Sequence, residues 1–221
     1  MSQNLKQNHS QSAPQNDLPN KSKSGNRLNP LSHFSGFRLL LWGGALLILS
    51  LPLFAMLFTI EVNWTIGDFV VAGVLLFSVT GLMDLALSLT LNNSYRMAVA
   101  VLLASLFLLL WINGAVGIIG SENNSANQLY FAVVVVAAIG AMSVRFQAKG
   151  MSVVLKLMAV TQVLVTLVGL LLWPDSGVLE SPKDSYSSLV ATLLLNLFFV
   201  LLHLTSARLF NRAADQEVQS S

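Results

Sequence analysis

The stretch MAVAVLLASLFLLLWINGAVGII, residues 97–119, contains no ionisable side chain. A helix rising 1.5 Å per residue needs roughly 20 such residues to cross the hydrocarbon core of a bilayer. Apolar residues do not alternate with polar ones here, so a barrel strand is a poor reading. Arg96 stands immediately before the run and Glu122 just after it. One end is therefore basic and the other acidic, and this polarity recurs outward in both directions.

Five further apolar runs flank this one, at about 39–60, 68–91, 127–146, 152–173 and 188–210. The expected fold is an all-α membrane protein, a bundle of six transmembrane helices. Hydrophobic residues make up 54% of the 221-residue chain and charged residues 10%, against about 25% charged in a soluble domain. A mean hydropathy of +0.69 agrees. Too few polar side chains exist to cover a water-facing surface, so lipid is part of the expected solvent. The domain division is a polar tail over 1–36, a membrane domain over 37–211 and a short tail over 212–221. The first tail is rich in Asn, Gln and Ser and lacks apolar periodicity, a composition expected to stay disordered. The first apolar run lies behind that tail and is too long for a signal-peptide core, so it is read as a retained helix.

Orientation follows the basic residues. Lys6, Lys21, Lys23, Arg27, Arg38, Arg96, Arg145, Lys149, Arg208 and Arg212 fall on one side of a six-span chain. The opposite connections hold Lys183 with Glu61, Glu122, Asp175, Glu180 and Asp184. The positive-inside rule then puts both termini in the cytoplasm; five spans would place Arg208 and Arg212 on the acidic side.

Ionisable groups within a span are costly, and each is a candidate site. Asp84, Lys156 and His203 lie at comparable depth on the second, fifth and sixth runs. One reading is a buried network acting on a proton or ion, with Asp84 as carrier, Lys156 as counter-charge and His203 tuning the pair. The other is structural: an Asp84–Lys156 pair that fixes packing, or a snorkelling lysine, with His203 bonding across helices. Asn113, Gln162 and Asn196 are deeper polar groups, suited to joining helices by hydrogen bonds or to binding a solute. Gly114, Gly117 and Gly120, and Ala137 with Ala141, suggest close helix contacts. Trp64, Trp111, Tyr130 and Trp173 suggest an aromatic belt. The polar loop from Gly120 to Asn127 reads as a tight turn in which Asn127 caps the fourth helix; its lone Glu122 is thin for a calcium site. Gly81-Leu82-Met83 and Gly140-Ala141-Met142 raise the idea of a repeated hairpin, or of chance likeness between apolar helices.

The chain has no cysteine, which excludes disulfides and thiolate metal sites. It has no phosphate-binding glycine loop, no His-Glu-x-x-His and no serine elbow. His203 is the only histidine within a span, so a bis-histidine haem has no ligand pair. No cofactor, metal or enzymatic activity is expected. The expected surroundings are the lipid bilayer and a membrane-protein partner or further copies of the chain, not nucleic acid.

Trp64-x3-Asp68-Phe69-x3-Gly73-x-Leu75-Leu76, Tyr95-Arg96, Trp111-x-Asn113, Val116-Gly117-Ile118-Ile119-Gly120-Ser121-Glu122-x-Asn124, Ala126-Asn127 and Tyr130-Phe131 together resemble a group of small uncharacterised bacterial multi-pass inner-membrane proteins, over about 61–173. The resemblance implies a bacterial inner-membrane location. It singles out Asp68, Asp84, Trp111, Asn113 and Glu122, Asp84 matching an acidic position of the group, and supplies no mechanism. Two functions are expected from the residues: small-solute or proton-linked transport or sensing, and an accessory or assembly role against a larger membrane complex.

Overall fold

The computed structural model describes residues 30–172 and 184–220, with side chains over 36–172 and 189–219. Residues 1–29 of the first tail, Trp173 of the belt, and the acidic loop with Lys183 lie outside the described residues; residues 30–36 of the tail, expected to be disordered, instead form the first turns of a helix that begins at Pro30 rather than near Leu39.

The described chain is all-helical. α1 spans Pro30–Phe58, α2 Ile66–Leu89, α3 Asn93–Ala115, α4 Phe131–Ser143, α5 Ala148–Leu172 and α6 Asp184–Ser220. A six-residue 3-10 segment, Ser125–Tyr130, leads into α4. Among the described residues, six stretches are long and apolar enough to cross a membrane; in the fourth, this segment and α4 combine as Ser125–Ser143.

Local chemistry sets the helix ends. Thr65 and Asp68 form a reciprocal capping box at the start of α2. Asn92 caps α3 by accepting from the Tyr95 N–H at 3.1 Å. Arg96 turns back to donate to the Thr90 and Leu87 carbonyls at 2.8 and 2.9 Å, satisfying the open end of α2. Arg145 and Phe146 take left-handed φ values of 50° and 58° in the α4–α5 turn. Tyr95 Oη donates to the Phe146 carbonyl there at 2.7 Å.

Three expectations need correction. α3 stops at Ala115 rather than near 119, because Gly117 and Gly120 adopt φ of 75° and 70° and turn the chain. Those two glycines serve a loop rather than a packing stripe, and Gly114 faces open space. α6 runs on to Ser220: its polar last turns dock, with Ala213 buried and its carbonyl accepting from Asn92 Nδ2 at 3.2 Å, and with Phe210 edge-on to Tyr95 at 5.1 Å. Of the two readings of the Gly81 and Gly140 segments, chance likeness between apolar helices fits: Gly140 packs against Val154, whereas Gly81 meets nothing among the described residues.

One contiguous apolar core joins α3, the loop after it, α4, α5 and α6. Ala137 and Ala141 belong to it. α5 packs most extensively on α6, and α3 packs on α6 as well. α1 and α2 contribute nothing to that cluster; α1 packs on α2, and α2 on α3. Only 6% of the apolar window of α1 is buried, against 44% for α5. The molecule is thus a four-helix core with a hairpin laid against it. Its outer surface is a continuous array of exposed Leu, Val, Ile and Phe, the surface a bilayer would solvate.

Candidate functional site: a polar column between α3, α5 and α6

The buried face of α5 carries Ser152, Ala159, Gln162, Thr166 and Gly169, at spacings that keep them on one side of a helix. The facing side of α6 carries Thr192, Asn196, Phe199, His203 and Ser206, all buried. Gln162 Nε2 donates to Asn196 Oδ1 at 2.8 Å. The Thr166 hydroxyl lies 2.6 Å from that same oxygen and 2.8 Å from the Gln162 carbonyl. Its proton serves one of these acceptors, so the Tyr130 hydroxyl, 3.1 Å away, donates to Thr166. Asn196 Nδ2 donates to the Thr192 carbonyl at 2.8 Å. This cluster joins α5, α6 and the entry of α4 without any formal charge.

At one end of the column, the chain from Gly117 to Ser121 folds back into the bundle. Asn127 holds it. Asn127 Oδ1 accepts from the Ile118 and Ile119 N–H groups at 2.9 and 2.8 Å. Asn127 Nδ2 donates to the Ser121 carbonyl at 2.7 Å. Asn113 Nδ2 donates to the Asn127 carbonyl at 3.1 Å, and the Thr192 hydroxyl to the Ile118 carbonyl at 3.1 Å. Ile119 is fully buried against Gly169, where an added Cβ would stand 2.4 Å from its side chain. Gly117 cannot carry a Cβ either: it would lie 2.5 Å from the Ser121 oxygen. The helical segment after the loop is capped by Asn124, whose Oδ1 accepts from the Ala126 N–H at 2.9 Å. Asn127 is therefore the loop's organiser rather than a helix cap. Its sequence signal was weak, since an asparagine in a polar loop ordinarily reads as a turn residue.

Toward the other end stands His203, fully buried, with neither ring nitrogen hydrogen-bonded among the described residues. Ser152, 1% exposed, also has an unpartnered hydroxyl. Ser50, Ser88, Ser105 and Ser143 each return the hydroxyl to a carbonyl three or four residues back; Ser152 does not. Gln162 Oε1 and Asn113 Oδ1 are unpartnered too. A buried polar atom left so costs about 1–3 kcal/mol, so the column concentrates unmet hydrogen-bonding capacity.

The structure does not bring Asp84, Lys156 and His203 together. Asp84 pairs with Arg38 across the α1–α2 hairpin. Lys156 is exposed on the outer face of α5. The equal depth inferred from the sequence says nothing about azimuth, and Lys156 sits one residue, or about 100°, past the buried Leu155. Of the secondary candidates, Gln162 and Asn196 meet in the column, and Asn113 anchors the loop. Asp68 is committed to the α2 capping box, its Oδ2 accepting from the Thr65 N–H at 2.7 Å. Trp111 stacks on Phe107 and meets Trp64 at a tilt, 5.8 Å from each ring. Glu122 is exposed and accepts from Asn123 Nδ2 at 3.3 Å. Tyr130, expected in an aromatic belt, is instead 1% exposed and part of the column. Among the described residues, no three His, Asp or Glu side chains are grouped to hold a metal.

Comparisons with protein-family models, curated proteins and solved structures return no match.

Proposed function

We propose that the chain is a multi-pass protein of a bacterial inner membrane, with both termini in the cytoplasm, that moves or senses a small solute or a proton through its α3–α5–α6 interior. The uncharged column carries this reading. A bundle held together by packing alone has no need of Gln162, Thr166, Asn196 and His203 at its centre, where polar groups are expensive and mark pathways. The basic ends at Arg96, Arg145, Lys149, Arg208 and Arg212 support the orientation, and the Trp-x3-Asp-Phe to Ala-Asn pattern supports the location.

The test is reconstitution. Proteoliposomes holding the purified chain should dissipate a proton or small-solute gradient faster than empty vesicles, and Gln162→Leu should change that rate. Identical rates with and without protein would remove the transport reading.

A second reading, an accessory subunit of a larger membrane complex, rests on α1. A helix with so little of its surface packed within the fold has room for a protein neighbour. Mild-detergent purification that always yields a larger complex, and a lone chain inactive in vesicles, would favour it.

A further inference from the structure

We infer that the substrate of the column is a small uncharged molecule bearing both a hydrogen-bond donor and an acceptor, of the class of water, urea or glycerol; this rests on the transport reading above. The first observation is a file of unsatisfied atoms. Gln162 and Ser152 are ten residues apart on α5, about 15 Å along its axis. α6 runs in the opposite direction, since Thr192 reaches Ile118 beside Gly169 while Phe210 meets Tyr95, whose hydroxyl reaches Phe146. Asn196 is level with Gln162 and Thr166. His203, seven residues further along, therefore falls between Gln162 and Ser152, roughly 7 Å from each along the axis. Gln162 Oε1, the two His203 nitrogens and Ser152 Oγ form successive stations, every one of them buried and unpartnered.

The second observation is what the file lacks. The ionisable residues of α5 and α6 around His203 are Lys149, Lys156 and Arg208, and all three are exposed. From α3, Arg96 is turned onto the end of α2. Asp84 is engaged by Arg38 in the peripheral hairpin. An ion at the centre of the bundle would need a compensating charge, and among the described residues no such charge faces the file. A neutral solute needs only hydrogen bonds. A neutral imidazole offers one donor and one acceptor, a serine hydroxyl offers both, and Gln162 Oε1 accepts. A molecule with one N–H or O–H and one lone pair satisfies each station in turn.

Full-length protein in liposomes provides the test. Stopped-flow light scattering reads water, urea and glycerol permeability, and pH- and potassium-sensitive dyes read ion flux in the same vesicles. The expected result is a severalfold rise over empty vesicles for at least one neutral probe, with proton and potassium flux at background. His203→Phe and Ser152→Ala should each cut that permeability severalfold, whereas Lys156→Gln should leave it unchanged. Ser152→Ala removes only an oxygen, so it retains the test if His203→Phe fails to fold. Proton or potassium flux without any neutral permeability would overturn this inference and leave the transport reading intact. Background rates for every probe would overturn both, and undiminished neutral permeability in both variants would remove the file as the route.

Discussion

Replacing Asn127 with alanine would strip the Ile118 and Ile119 N–H groups of their acceptor inside the bundle. Each orphaned donor costs about 1–3 kcal/mol. Thermal unfolding in detergent should accordingly show a clear loss of stability, of several kcal/mol in total. Asn127→Asp, which keeps the acceptor, should recover part of it. Gly117→Ala should also destabilise, because the new Cβ meets both the positive φ and the Ser121 oxygen. At this scale the sequence spoke unevenly. His203, Gln162 and Asn196 stood out as polar groups in apolar runs, and they do face inward. Asp84 and Lys156 stood out equally, yet one serves Arg38 and the other faces outward. Depth can be counted along a helix, but azimuth depends on which face the neighbours cover, and that is a tertiary property. Ser152 and Thr166 were legible only as members of a small and polar stripe on α5, a pattern that becomes visible once Gln162 is taken as its centre.

At the scale of the elements, the bundle has tight and loose seams. At Gly140 a Cβ would stand 2.6 Å from Val154, so α4 and α5 touch almost backbone to side chain. Gly140→Leu should therefore unfold or rearrange the core, whereas Gly81→Leu on α2, which meets nothing, should be tolerated. Comparing the two melting temperatures in one detergent checks this. Helix number was readable from apolar run length, because every backbone polar group in hydrocarbon must be paired within its own helix. The end of α3 and the 3-10 entry to α4 were not. Apolar residues such as Ile118 and Ile119 look the same whether they continue a helix or plug a bundle, and only the two left-handed glycines decide between these. The extension of α6 was missed for the opposite reason: its last turns look solvent-bound, and Asn92 and Tyr95 recruit them to the α2–α3 turn.

For the whole molecule, the division into a four-helix core and an attached hairpin separates two kinds of stability. Asp84→Asn breaks the Arg38 pair, which is partly exposed and belongs to the hairpin. It should lower core stability by less than about 1 kcal/mol and leave solute flux unchanged, a result that unfolding and flux measurements on one preparation would check together. The column matters only if α3, α5 and α6 all traverse the bilayer, so the crossing pattern is the claim on which the rest stands. The chain contains no cysteine, so single cysteines can report sidedness without background. Asn63, Asn123, Gln147 and Gln216 are exposed positions between or beyond the helices' apolar stretches. With a membrane-impermeant thiol reagent on intact, oriented vesicles, Asn63→Cys and Asn123→Cys should label from one face. Gln147→Cys and Gln216→Cys should label only from the other. Labelling of Gln147→Cys from the same face as Asn123→Cys, or of Gln216→Cys from the face opposite Gln147→Cys, would contradict the six-crossing bundle and the column within it.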